Sequence, residues 1–276
     1  MTVTTPDGAS VALAATSAAS TVSGAAAPRR TASSAVRIDG VSMRFGRGHV
    51  VLDNISLDVA PGEFVCVLGA SGCGKSTLLN LVAGLEKVTA GTIDVGDSRP
   101  ALMFQEPALY PWLTGRANVE LALRLRGVDK GARHARAQEL LELVRLGDIG
   151  KARPHELSGG MRQRVAMARA LAQDASVLLM DEPFAALDAI TRDALHNELE
   201  RVWHETGLTV IFVTHNVREA VRLGQRIVLL SSRPGRVLAE WQVGAKAGRR
   251  IGDPEVADLA GEITDALRKE IARHAR

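Results

Sequence analysis

Val65-Cys66-Val67-Leu68-Gly69-Ala70-Ser71-Gly72-Cys73-Gly74-Lys75-Ser76-Thr77 is the stretch that decides how the rest of the chain reads. A short apolar run stops at a glycine-rich turn, and a lysine and two hydroxyls then open a helix expected over Leu78 to Ala83. The spacing Gly69-x-x-x-x-Gly74-Lys75-Ser76 fits the P-loop, and a strand before and a helix after are the context that pattern needs. The reason is electrostatic. Glycines let successive backbone N–H groups curl inward around an anion, and the helix N-terminus adds partial positive charge. Lys75 is long enough to reach β- and γ-phosphates, and the Ser76 hydroxyl is placed to ligate Mg²⁺. A loop that merely turned the chain would gain nothing from the lysine–serine pair. The stretch reads as a nucleotide phosphate site.

Composition narrows the classes around that site. With 276 residues, 46% of them apolar, the chain suffices for one large domain with a subdomain or tails. Its wholly apolar runs, such as Val177-Leu178-Leu179-Met180, are far too short to span a bilayer, so a membrane role has to come through a partner. Net charge is +3, from 34 basic and 31 acidic residues. With no concentrated basic run, and only five Phe, three Trp and one Tyr for base stacking, nucleic acid is not an expected partner. Cys66 and Cys73 have neither metal-site nor disulfide spacing, which suits a reducing cytosol.

Residues 1–34, rich in Ala, Ser and Thr, lack the basic start and long apolar core of a secretory signal and read as a disordered tail. Alternating patterns in Val36–Val41 and Val51–Val59 predict two strands. Between them Phe45 is either core or a platform for a purine. Short strands are expected near Gly91–Val95 and Ala101–Phe104, the latter ending at Gln105. Residues 106–160 then carry helical patterns, Ala117–Leu125 and Ala132–Leu146, with no strand signal, and read as a helical insertion in an α/β chain. At Ser158-Gly159-Gly160 another helix begins, with Ser158 a natural N-cap and the glycines leaving donors open for an anion. Strands Val177–Met180, Thr209–Thr214 and Arg226–Leu230 alternate with helices Ile190–Trp203 and Val217–Leu223. In the extension 236–276, Val256, Leu259, Ile263, Leu267 and Ile271 share one helical face.

Polar groups fall at the carboxyl ends of four of these strands: Gly69–Ser76, Gln105, Asp181 with Glu182, and His215. Open parallel sheets bind ligands along that edge. Asp181 is placed to hold Mg²⁺ or its water, and Glu182 to polarise the attacking water.

The order Phe45, P-loop, Gln105, Leu157-Ser158-Gly159-Gly160-Met161-Arg162-Gln163, Val177–Glu182, Leu187-Asp188, His215 resembles the ATPase subunits of ABC transporters over residues 35–235. The resemblance implies a P-loop NTPase (RecA-like) α/β core with an N-terminal antiparallel β subdomain and an inserted α-helical subdomain. It implies ATP and Mg²⁺ as cofactors, with Phe45 stacked on adenine and residues Gly69, Ala70, Ser71, Gly72, Cys73, Gly74, Lys75, Ser76 and Thr77 around the phosphates. Metal ligands would be Ser76, Gln105 and Asp181; catalytic groups would be Lys75, Gln105, Glu182 and His215. Ser158, Gly159, Gly160 and Asp188 would complete the nucleotide site, each signature helix closing over the ATP of a second cassette, in a homodimer or in a pair with a different cassette. Ala185-Ala186 stands where many members carry a serine before Ala-Leu-Asp, and Met161 where many carry glutamine; neither change removes a charge or a nucleophile.

A finer resemblance is to the ATPases of nitrate/sulfonate/taurine-type importers. It rests on Phe104–Leu113, Met180–Phe184, Thr214–Ala220 and Ser231-Ser232-Arg233-Pro234-Gly235. It implies separate transmembrane permease subunits, an extracytoplasmic solute-binding protein acting indirectly, and a peripheral place on the cytoplasmic face of the membrane. An exporter ATPase or a soluble non-transport ABC ATPase are the alternatives. One cassette and a short helical insertion fit a soluble translation- or repair-type ATPase less well than an importer, while the core motifs leave an exporter open.

Overall fold

The computed structural model describes residues 34–46, 48–97, 99–244, 249 and 252–274; the expected 1–34 tail, Ser34 excepted, lies outside them. Two sheets organise the chain. The first is antiparallel, in the order β2-β1-β4, from β1 (Val36–Arg44), β2 (Val50–Val59) and β4 (Ala90–Asp94). The second has six strands in the order β5-β6-β7-β3-β8-β9. Its parallel members are β3 (Phe64–Leu68), β5 (Ala101–Met103), β6 (Val177–Asp181), β7 (Thr209–Val213) and β8 (Arg226–Leu230). An antiparallel strand, β9 (Val237–Gln242), closes one edge.

The apolar run of β3 follows from its place in the middle of that sheet. Phe64, Cys66 and Leu68 face one buried layer and Val65 and Val67 the other, so both faces of the strand are covered and no polar alternation survives. The Val65 side packs on the antiparallel sheet and on α1 (Lys75–Val82). The Phe64 side meets α2 (Gly115–Leu125), α3 (Lys130–Leu143), α4 (Gly159–Leu171), α5 (Ala189–Thr206) and α6 (Val217–Leu223). Phe64 sets its ring edge-on to Trp203 with centroids 5.5 Å apart.

Helix starts follow their caps. Thr114, Asp129, Ser158, Asp188 and Asn216 each accept a first-turn N–H of the helix they precede, typically ~1 kcal/mol apiece. The predicted helix Ala132–Leu146 instead runs Lys130–Leu143, because Asp129 starts it earlier and Arg145, at φ 55°, turns the chain out of it. The last helix, α7 (Pro254–His274), buries Val256, Ala260 and Ile263, with Leu259 and Leu267 partly buried against the same core, so the predicted stripe packs on its own domain except at Ile271, which is exposed. Strand β9 had no expectation. Exposed Leu238, 41% accessible, interrupts the polar-out alternation that would have marked it.

Candidate functional site

Strand β3 ends at the P-loop, and β7 lies between β3 and β6, so the loop, the end of β6 and His215 emerge along one edge. The loop is folded for close backbone approach. Gly74 takes φ 104°, and a Cβ there would sit 2.6 Å from Leu52 Cδ2. No side chain caps α1, leaving its first N–H groups open to a ligand. Lys75 is buried, and its ammonium donates to the carbonyls of Gly69 at 2.9 Å and Ala70 at 3.1 Å. Those bonds hold the charge inside the loop. Cys73 is also buried, which pushes its thiol up from the ordinary value.

A cleft of about 570 Å³ opens over this loop, lined by Phe45, Ser71, Gly72, Gly74, Lys75, Ser76, Thr77 and Glu182, all sequence-predicted. His49, Val51 and Arg233 also line it. Phe45 is 49% exposed and faces the cleft, which settles its two readings against core. Asp181, at the end of β6, accepts from the Ser76 hydroxyl. Burial pushes its carboxyl up from the usual carboxylate value, and neighbouring Glu182 adds to this, while the Ser76 hydroxyl and Lys75 pull the other way. Hard oxygen donors from Ser76 and Asp181 thus converge beside the phosphate loop, a set suited to Mg²⁺.

Glu182 holds a left-handed φ of 44°, with its N–H bonded to Val213 O at 2.9 Å. For a non-glycine residue that conformation costs about 1–3 kcal/mol and persists only where surroundings impose it. Its carboxylate meets His215 Nδ1 at 2.8 Å. A carboxylate can only accept, so Nδ1 carries the proton and Nε2 is left for a ligand.

The other predicted residues are placed differently. Gln105 is exposed beyond β5; Gln163 of α4 donates to its backbone carbonyl at 2.9 Å, and Arg169 holds Pro107 O at 2.8 Å. Ser158, Gly159, Gly160 and Asp188 do not line the cleft. Ser158 accepts from Met161 N at 3.2 Å, and the Asp188 carboxylate is engaged by Thr191 N at 2.9 Å. That bond, with a second from the Thr191 hydroxyl, holds the exposed Asp188 carboxyl below its ordinary value. A Cβ on Gly160 would lie 2.5 Å from Thr191 Cγ2, so the starts of α4 and α5 are packed together.

Two groups were missed by sequence reasoning. Behind His215, the Thr214 hydroxyl donates to Glu219, whose other oxygen meets buried His196 Nε2 at 2.6 Å. Arg222 donates to His196 Nδ1 at 3.0 Å, so that imidazole is neutral with its proton on Nε2. No single-sequence signal pairs residues 23 apart in this way. Arg233 is the other, and its signal was available: β8 runs parallel to β3, so the turn after it emerges at the same edge.

Comparison with known proteins agrees with this geometry. The ABC transporter family profile matches residues 52–185. The taurine import ATP-binding protein TauB of Mesorhizobium japonicum is 45% identical over 247 residues, covering 83% of this chain and 96% of that protein. The nitrate import ATP-binding protein NrtD of Synechocystis is 43% identical over 239 residues, covering 80% and 90%. A dimeric post-hydrolysis state of the ATP-binding cassette MJ0796, bound to ADP and Pi, superposes with a TM-score of 0.66 at 34% identity, over 76% of this chain and all of that one. A P-loop cleft, a carboxylate pair at the end of β6 and likeness along nearly the full length of these relatives place the chain in the ABC transporter family, as one of its ATP-binding ATPases.

Proposed function

We propose that this ATPase powers uptake of a small sulfonate- or nitrate-like anion through separate permease subunits. The observation that carries the catalytic part is the Glu182–His215 pair, 2.8 Å apart at the mouth of the P-loop cleft. ATP enters with its adenine on Phe45 and its phosphates on the donors of residues 69–77. Lys75 turns from the Gly69 and Ala70 carbonyls to the β/γ-phosphates. Glu182 orients and polarises the attacking water, while His215 Nε2 contacts the γ-phosphate and Nδ1 fixes the Glu182 carboxylate. Ser76 and Asp181, joined by Gln105, would hold Mg²⁺, which when bound neutralises charge on the β- and γ-phosphates.

Ser158, Gly159, Gly160 and Asp188 act on the nucleotide of a second copy of the chain, since they lie off the cleft of their own. The permease docks where the chain leaves β5. A groove of about 760 Å³ there is lined by Phe104, Tyr110, Leu125 and Arg169, and Trp112 beside it is 68% exposed. Exposed apolar surface of this kind marks partner sites, and the Gln163 and Arg169 bonds tie its floor to the signature helix α4. The working place is then peripheral, on the cytoplasmic face of the membrane; among the described residues no helix is long and apolar enough to cross it. A solute-binding protein enters only through the permease. The solute class rests on the likeness to the taurine and nitrate import ATP-binding proteins.

The test is uptake by vesicles carrying this chain together with permease and binding-protein subunits of a taurine- or nitrate-type importer. ATP-dependent accumulation of taurine, an alkanesulfonate or nitrate is expected. An assembly that hydrolyses ATP yet accumulates none of the three overturns the solute class; efflux overturns the direction.

A further inference from the structure

We infer that Arg233 is an additional phosphate-binding residue of the ATP cleft, and that the C-terminal helix α7 sets its position through Glu270. The inference rests on the P-loop being the phosphate site.

The turn Ser231–Arg236 follows β8 out of the same sheet edge as the P-loop. It is fastened on three sides. Gly235 exchanges backbone hydrogen bonds with β2, donating to Val51 O at 2.8 Å and accepting from Asp53 N at 2.9 Å. It also lies so close to the P-loop that a Cβ on it would fall 2.3 Å from the Cys73 carbonyl oxygen. On the P-loop side Arg233 Nε donates to Gly72 O at 3.0 Å. On the third side the Glu270 carboxylate, from the last turns of α7 and only 4% exposed, accepts from Ser232 N at 3.0 Å. His274 Nδ1 lies 3.2 Å from the same carboxylate oxygen.

This fastening spends one nitrogen of Arg233 and leaves two. Among the described residues, Nη1 and Nη2 have no hydrogen-bond acceptor, and no carboxylate lies within ion-pair distance. The guanidinium lies over Gly72, where a Cβ would come within 2.7 Å of Nη2, so the glycine makes room for it. Among the described residues it is the one guanidinium lining the cleft, beside Lys75 and Ser71. A planar cation with two free donors matches phosphate oxygens in pairs. The fold therefore supplies a second cation for the polyphosphate besides Lys75. Because Val256, Ala260 and Ile263 anchor α7 in the core, the position of that helix is conveyed through Glu270 and Ser232 to the arginine.

The experiment is titration of the full-length chain with labelled ATP, ADP and adenosine, for wild type, Arg233→Gln, Glu270→Ala, the double variant and Lys75→Ala. Melting curves without nucleotide exclude unfolded variants. Loss of a charged donor pair should weaken ATP and ADP about tenfold for Arg233→Gln and leave adenosine unchanged. Arg233→Lys should recover part of the loss. Glu270→Ala should weaken ATP about threefold in the wild-type background and not at all with Arg233→Gln, since coupled residues are non-additive. ATP bound normally by Arg233→Gln while Lys75→Ala loses it would overturn the role of Arg233 and leave the P-loop reading standing. An equal loss for adenosine would also overturn it, reducing Arg233 to a wall of the cleft. Additive losses in the double variant would overturn the role of Glu270. Normal binding by Lys75→Ala as well would overturn the phosphate site itself.

Discussion

Two of the glycine-bearing helix starts, those of α1 and α4, are finished to different degrees. At the P-loop the glycines are folded into the protein, α1 has no capping side chain, and the lysine waits inside the loop on two carbonyls. At Ser158 the serine caps its own helix and is exposed, and it does not line the P-loop cleft. The same local physics, open donors at a helix N-terminus, thus yields a finished half-site and an unfinished one. The difference teaches why we propose that a second copy completes the site: the P-loop start lines a cleft of its own chain, and the Ser158 start does not.

The sharpest way to break that comparison is at the finished half. Glu182→Gln should leave nucleotide binding in place and cut turnover by about 10²–10⁴-fold, the usual yield of a positioned base. Single-turnover hydrolysis measures it, and a near-normal rate would remove Glu182 from the chemistry. Next in size, Lys75→Ala should weaken ATP binding roughly 10- to 150-fold, the worth of one charge-assisted contact. Unchanged affinity in a labelled-nucleotide titration would mean that the burial of Lys75 is structural only.

The unfinished half yields a twofold effect in mass. The Glu182→Gln chain should double in mass with ATP, as a two-fold pair with equivalent sites, and Ser158→Arg should keep it monomeric by filling the donor face. Light scattering with and without ATP decides this. Monomers at high concentration and saturating ATP would show that the two helix starts do not meet in a self-pair.

How much was legible in the sequence follows the same division. The parallel core was readable because strands buried on both faces, such as Val65–Leu68, have no pattern except apolarity and a turn at each end. The strand-end groups could be placed from topology alone. What stayed hidden depends on side chains meeting across long separations. Glu219 reaching His196 is one case, and Glu270 reaching Ser232 is another. Strand β9 was lost for a different reason, since its outward Leu238 contradicts the alternation that the strand otherwise keeps. The roles of Gln105, Ser158 and Asp188 came from motif resemblance, and in the single chain these residues are occupied with capping and docking.

The smallest effect concerns what the finished half costs the fold. Burial pushes the Asp181 carboxyl up, with the Glu182 charge adding to it, so the ionised form is disfavoured in the folded chain relative to the unfolded one. A carboxyl raised in the folded state destabilises above its folded pKa, and the cost disappears once pH falls below the unfolded value. Asp181→Asn keeps the shape and an acceptor for Ser76 while removing the charge. Without nucleotide it should therefore melt above wild type at neutral pH, and the advantage should shrink as pH is lowered through the carboxylate range. For a domain of this size about 2–4 °C corresponds to 1 kcal/mol, within reach of scanning calorimetry. With ATP and Mg²⁺ the order should reverse, because only the carboxylate gains from the cation and a ligand stabilises the state it binds. A variant that melts below wild type at every pH without nucleotide would mean that Asp181 supports the fold, and that the ion site imposes no strain on it.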